Sequence, residues 1–138
     1  MTKIEKIKTL DKDVDVLRNF IGLSQRMVVA EYLKGEESEY FIDKMNEIIA
    51  TIKAMPKVYE QDGKGDEAIA YLHYFNGSWD WYITEKDCEP EQLQAFGLVK
   101  GFELELGYIN IEEIIKERTE LDFHWQPKTL AEIRKGLK

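Results

Sequence analysis

The residues best placed to do chemistry lie in one stretch, Tyr71–Tyr82, where His73 and Asp80 stand among aromatic side chains on either side of Asn76–Gly77. Asn-Gly between β-prone runs is a strong signal for a two-residue hairpin turn. With that turn, Phe75 faces Ser78, Tyr74 faces Trp79, His73 faces Asp80, Leu72 faces Trp81 and Tyr71 faces Tyr82. Side chains alternate along a strand, so Ala70, Leu72, Tyr74, Trp79, Trp81 and Ile83 share an apolar face expected to meet the core. The other face carries Tyr71, His73, Phe75, Asp80, Tyr82 and Thr84, and is the candidate binding face. A His73–Asp80 pair flanked by rings could orient an imidazole, hold a small polar ligand or stack a base. It could equally be an ordinary cross-strand ion pair on a half-exposed sheet. A longer turn that takes in Ser78 would reverse the parity, place His73 opposite Trp81 and dissolve the pair.

Other chemistry finds no footing. His73 and His124 are the two histidines, and neither has a metal-ligand spacing to Cys or Glu. Asp11, Asp13 and Asp15 imitate the start of a calcium loop, but Val16 and Gly22 occupy positions that such a loop needs for glycine and glutamate. Gly63–Lys64–Gly65 lacks the third glycine of a dinucleotide fingerprint, and the Ser or Thr that follows a Walker lysine. The single cysteine, Cys88, rules out an internal disulfide, and its acidic neighbours Asp87 and Glu89 argue against a nucleophilic role. No cofactor is expected, and no catalytic constellation assembles from the sequence.

The elements that must carry these residues divide the chain near position 55. Val14, Leu17, Phe20, Ile21, Val28 and Leu33 recur at helical spacing after a cap at Asp11 or Asp13, with Lys34–Gly35 as the stop. A second helix runs from about Ser38 to Ala54 with Phe41, Met45, Ile48, Ile49 and Ile52 on one side, and Pro56 bars its continuation. The short join favours an antiparallel helical hairpin. Residues 57–67 read as a loop and as the natural mobile segment. Strands follow at 69–75, 79–85, 93–100 and 102–108. A helix capped by Asn110 comes next, and then a terminal helix opened by the capping-box spacing Thr129–Leu130–Ala131–Glu132. The expected fold is a single α+β domain spanning 1–138. Its N-terminal helical hairpin (1–55) packs with an antiparallel sheet of about four strands, helices on one face, and two short C-terminal helices complete 56–138.

Charge limits the partners. Residues 1–12 carry four lysines against Glu5 and Asp11, and residues 128–138 carry four cations against Glu132. Of the net charge of −8, residues 13–127 therefore hold −13. Such a body repels phosphate backbones, which makes nucleic acid the lesser alternative. Around the second helix, Glu36, Glu37, Glu39, Asp43 and Glu47 form a candidate acidic patch, interrupted by Lys44. The longest clean apolar run, Met27–Ala30, is far too short to cross a bilayer, and no secretory signal opens the chain, so a cytoplasmic protein is expected.

Several motifs also form a pattern. Trp79–Asp80–Trp81–Tyr82–Ile83–Thr84–Glu85, Phe96–Gly97–Leu98–Val99, Glu105–Leu106–Gly107–Tyr108–Ile109 and the tail Gln126–Pro127–Lys128–Thr129–Leu130 resemble the family called domain of unknown function 2958. The resemblance covers about 55–133 and leaves the N-terminal helices outside. It implies an accessory protein of bacterial plasmids, conjugative elements or phages, and carries no catalytic residues. The leading expectation is a non-enzymatic module that binds a protein partner. Two alternatives stand beside it: a single-stranded nucleic-acid binder that stacks bases on Tyr71, Phe75 and Tyr82, and an acidic DNA mimic that blocks restriction. Wide apolar stripes on the N-terminal helices leave room for a homodimer.

Overall fold

The structure is a computed structural model that describes residues 1–137. Three helices come first: α1 (Lys3–Arg18), α2 (Leu23–Tyr32) and α3 (Ser38–Ala54). Two helices were expected here. The extra one arises because the first helix starts ten residues early, on Thr2, whose hydroxyl accepts from the Glu5 N–H, and stops at Arg18. Phe20 and Ile21, in the break before α2, are buried to the hilt at 2% and 1% exposure, and the Phe20 carbonyl accepts the Tyr74 hydroxyl from the sheet. The break is therefore a packing feature and not a failure of helix propensity.

Helices α1 and α3 run parallel, not as an antiparallel hairpin. Lys6 near the start of α1 pairs with Glu39 and Asp43 near the start of α3, and Asp13 further along α1 pairs with Lys53 at the end of α3. Helix α2 makes the return between them.

The second half forms a mixed α+β arrangement, as the patterning predicts. Strands β2 (Leu72–Asn76), β3 (Trp79–Glu85), β4 (Ala95–Lys100), β5 (Leu104–Ile109) and β6 (Glu120–Leu121) build an antiparallel sheet in the order β5-β4-β3-β2-β6. Short β1 (Ile69–Ala70) leaves that sheet to pair with β7 (Lys128–Thr129). Helix α4 (Ile111–Lys116) is capped by the Asn110 side chain, and α5 (Leu130–Gly136) opens with the complete Thr129–Glu132 capping box.

Both faces of the sheet are covered, where helices on one face were expected. On one side Leu72, Tyr74, Ile83, Ala95 and Ile109 pack with Leu17, Ile21, Met45, Ile49 and Ile52 of the N-terminal helices. On the other, Tyr82 and Leu98 pack with Ala70, Leu130 and Ile133, with Trp125 alongside. The two-stranded β1–β7 ribbon delivers α5 to that second face. Gly97 is required where β3 and β4 run closest: a Cβ there would lie 1.9 Å from the Tyr82 carbonyl oxygen.

Candidate functional site

The β2–β3 hairpin turns at Gly77–Ser78 and not at Asn76–Gly77. Asn76 opposes Trp79, Phe75 opposes Asp80, Tyr74 opposes Trp81 and His73 opposes Tyr82. Gly77 takes a positive φ of 59°, glycine's place at the first position of a II′ turn. The register has slipped by two from the expected one. A slip of two preserves the side-chain parity, so His73 and Asp80 still share a face, now as diagonal neighbours.

They meet there. His73 Nε2 lies 2.7 Å from Asp80 Oδ1, and on the far side of the ring Nδ1 lies 3.0 Å from Asp122 Oδ2. Asp122 is fixed in turn: its N–H donates to the His73 carbonyl, and its Oδ1 accepts from the His124 N–H. Tyr82 stacks on the imidazole at 4.8 Å and 11°, and Trp125 tilts against it at 5.1 Å. Burial, followed by the Asp80 charge, pushes the Tyr82 phenol up to about 12.

The chemistry open to this cluster is narrow. Both ring nitrogens are already engaged by carboxylates, so neither is turned toward an open site where a substrate could meet it. The carboxylates sit at opposite ends of the ring and do not converge, and no group of His, Cys, Asp or Glu among the described residues is placed to hold a metal ion. The cavity beside Asp122 and Trp125 amounts to about 30 Å³, space for about one water. The cluster ties β2, β3 and the β6–β7 connection together.

Of the expected binding face, His73, Asp80, Tyr82 and the half-exposed Phe75 come together, while Tyr71 does not. The excursion of β1 into its own ribbon resets the alternation: Ala70 joins the α5 side and Tyr71 packs against the helical core. Tyr82 is 6% exposed beneath Trp125, so Tyr71, Phe75 and Tyr82 form no open stacking platform. In the acidic patch, Lys6 pairs with Glu39 and Asp43, and Lys44 pairs with Glu47. Glu36 and Glu37 are exposed in the turn before α3. Sequence reasoning missed Asp122 and Trp125, whose link to His73 spans 49 positions in the case of Asp122.

The two edges of the sheet differ sharply. At one edge, Gln25 of α2 donates its amide to the Leu121 carbonyl and accepts the Leu121 N–H, at 2.7 and 2.9 Å, occupying β6 as a strand would. At the other, β5 offers six residues paired on one side only, in register Ala95↔Ile109 to Lys100↔Leu104. Among the described residues no backbone hydrogen bond outside the β4–β5 ladder involves Leu104–Ile109. Leu104, Leu106 and Tyr108 are exposed, and neither Lys, Arg nor Pro guards the strand. A larger cleft, about 670 Å³, lies away from β5, between the α1–α2 break and α4, with Gln25 and Glu120 of the β6 edge in its lining. Its charges are mixed, with Arg18 and Lys116 already paired to Asp15 and Glu112.

No family model, no curated protein and no solved structure matches this chain.

Proposed function

We propose that the protein is a non-enzymatic binding module that takes an extended segment of a partner protein onto the open edge of β5. The observation that carries the reading is the contrast between edges: β6 is two residues long and sealed by Gln25, whereas β5 is six residues long and open. Alternate residues of an antiparallel edge strand point their N–H and C=O groups outward, and an added strand satisfies them while side-chain pockets set specificity. Soluble proteins ordinarily blunt such an edge with lysine, proline or a cover. The charges of β5 and its approach are acidic, Glu103 and Glu105, in a body of −13 over residues 13–127, which favours a basic segment. A second copy would bring the same glutamates to the seam. The motif resemblance adds the expectation of a cytoplasmic accessory protein of a bacterial mobile element.

The test is selection of a displayed random decapeptide library against the wild-type chain, with Leu106→Lys as counter-target. Leu106 is 46% exposed, so the lysine leaves the fold intact while guarding the edge. Extended, basic peptides recovered on wild type and lost on the variant support the reading. Peptides that bind both forms equally refute it, and a wild-type dimer that Leu106→Lys dissolves replaces the partner with a second copy.

A further inference from the structure

The ladder between β3 and β4 is interrupted once: Ile83 opposes Gly97, but Glu85, not Thr84, opposes Phe96. This is a β-bulge, one extra residue on β3, and its consequence is directional. In an unbroken ladder Glu85 would fall on the same face as Ile83, in the helical core. The bulge turns it to the face of Phe96 and Tyr108, which oppose one another across β4 and β5. There it lines a cleft of about 530 Å³ with Tyr59, Asp62, Phe96, Leu106 and Tyr108.

Glu85 is 5% exposed. One carboxylate oxygen, Oε2, accepts from the Gln61 N–H; the other is not a buried unpartnered atom but opens to the cleft, and the carboxylate has no cation among the described residues. A largely enclosed carboxylate with one oxygen open to the cleft and no cation beside it is placed to receive one. The walls around it are aromatic. Tyr59 and Tyr108 meet through their hydroxyls at 2.7 Å, and Phe96 packs edge-on against Tyr108 at 5.5 Å. Tyr59 holds this position with a φ of 79°, a costly conformation for an aromatic residue. The Gln61 side chain bonds to Ile69 and Thr84 and clamps the loop against the sheet. The Tyr108 phenol is raised, first by its bond to Tyr59 and then by partial desolvation, with the carboxylates of Glu85 and Asp62 adding to the shift.

We propose that this cleft binds an organic cation, a primary ammonium or guanidinium group, with Glu85 as its counter-ion and Tyr59, Phe96 and Tyr108 as the faces that receive its charge. Aromatic faces attract cations through their quadrupole, and the attraction strengthens as water is excluded. The volume admits a lysine- or arginine-sized group. The site stands on the cleft alone and does not require a strand on β5. The cation has two natural sources, the side chain of a polypeptide or a free small amine.

The test is an NMR titration of the full chain with Nα-acetyl-lysine methylamide, Nα-acetyl-arginine methylamide, free putrescine and the neutral isostere Nα-acetyl-norleucine methylamide. The cationic probes are expected to shift the amides of Glu85, Phe96 and Tyr108, and norleucine is not. Glu85→Gln, which retains an acceptor for the Gln61 N–H, should weaken binding at least 10-fold. Tyr108→Leu, at an exposed position, should weaken it about 3- to 10-fold, which covers the case in which Glu85→Gln perturbs the loop. Preference for the amino-acid amides assigns a polypeptide source, and preference for putrescine a free amine. Equal binding of norleucine, affinity unchanged in both variants, or no binding of any cation overturns the proposal. Because Leu106 also lines the cleft, the selected peptides are scored on Glu85→Gln as well as on Leu106→Lys: peptides that keep their affinity for Glu85→Gln belong to the β5 edge alone, and the cation proposal then stands or falls on its own titration.

Discussion

If His73 is a structural tie and not a reactive group, its removal must register in stability, and chiefly through Asp80 and Asp122. The two contacts are 2.7 and 3.0 Å long, with side-chain exposures of 14% for His73, 23% for Asp80 and 27% for Asp122. Hydrogen bonds to charged groups are worth about 1.5–3 kcal/mol when buried, and exposed ion pairs about 0.2–1 kcal/mol. At this intermediate burial each contact should contribute about 1 kcal/mol, and the stacking on Tyr82 about 0.5–1.5 kcal/mol more. We therefore predict that His73→Ala costs about 2–4 kcal/mol, near a 10 °C loss of Tm for a domain of this size. Asp122→Asn keeps the acceptor for the His124 N–H while removing the charge opposite Nδ1, so it isolates one arm. Urea unfolding of both single variants and the double variant, followed by tryptophan fluorescence, should give a coupling of about 1 kcal/mol. Coupling below about 0.3 kcal/mol, with His73→Ala costing under about 0.5 kcal/mol, would refute the structural role.

Three further outcomes follow from the packing. Gln25→Ala strips both partners from the backbone of buried Leu121 and should cost about 2–4 kcal/mol in urea unfolding. Gly97→Ala drives a methyl group to within 1.9 Å of the Tyr82 carbonyl and should cost more than about 3 kcal/mol or prevent soluble folding, read from yield and urea midpoint. The Tyr82 phenol is raised from 10.0 to about 12, so its contribution is fully present below about pH 10 and is lost as pH climbs toward 12. Thermal melts across that window should fall more steeply for the wild type than for Tyr82→Phe, and equal slopes would contradict the assignment.

What the sequence made legible was local. The Thr129–Glu132 box, the Asn110 cap and the alternation around His73 are set by neighbours within a few residues, and each is present. The His73–Asp80 meeting survived a wrong turn because the register error was two and not one. Long-range features gave no comparable signal. Asp122 reaches His73 because β6 docks beside β2; Tyr71 changes face because β1 pairs with β7; and Glu85 changes face because of a bulge opposite Phe96. The early start of α1 was hidden for a different reason. Ile4 and Ile7 do continue the helical spacing of Leu10, Val14 and Leu17, but they stand among charges and are exposed, so burial begins only at Leu10, while Thr2 and the ties of Lys3 and Lys6 to α3 hold the first turns.

The central claim is that β5 is a docking edge, and amide hydrogen exchange of the chain with and without a decapeptide selected against it tests that most directly. The account predicts new protection at alternate residues of 104–109, with β6 unchanged. Protection gathered instead around Arg26 and Arg118, or none on β5, would contradict it.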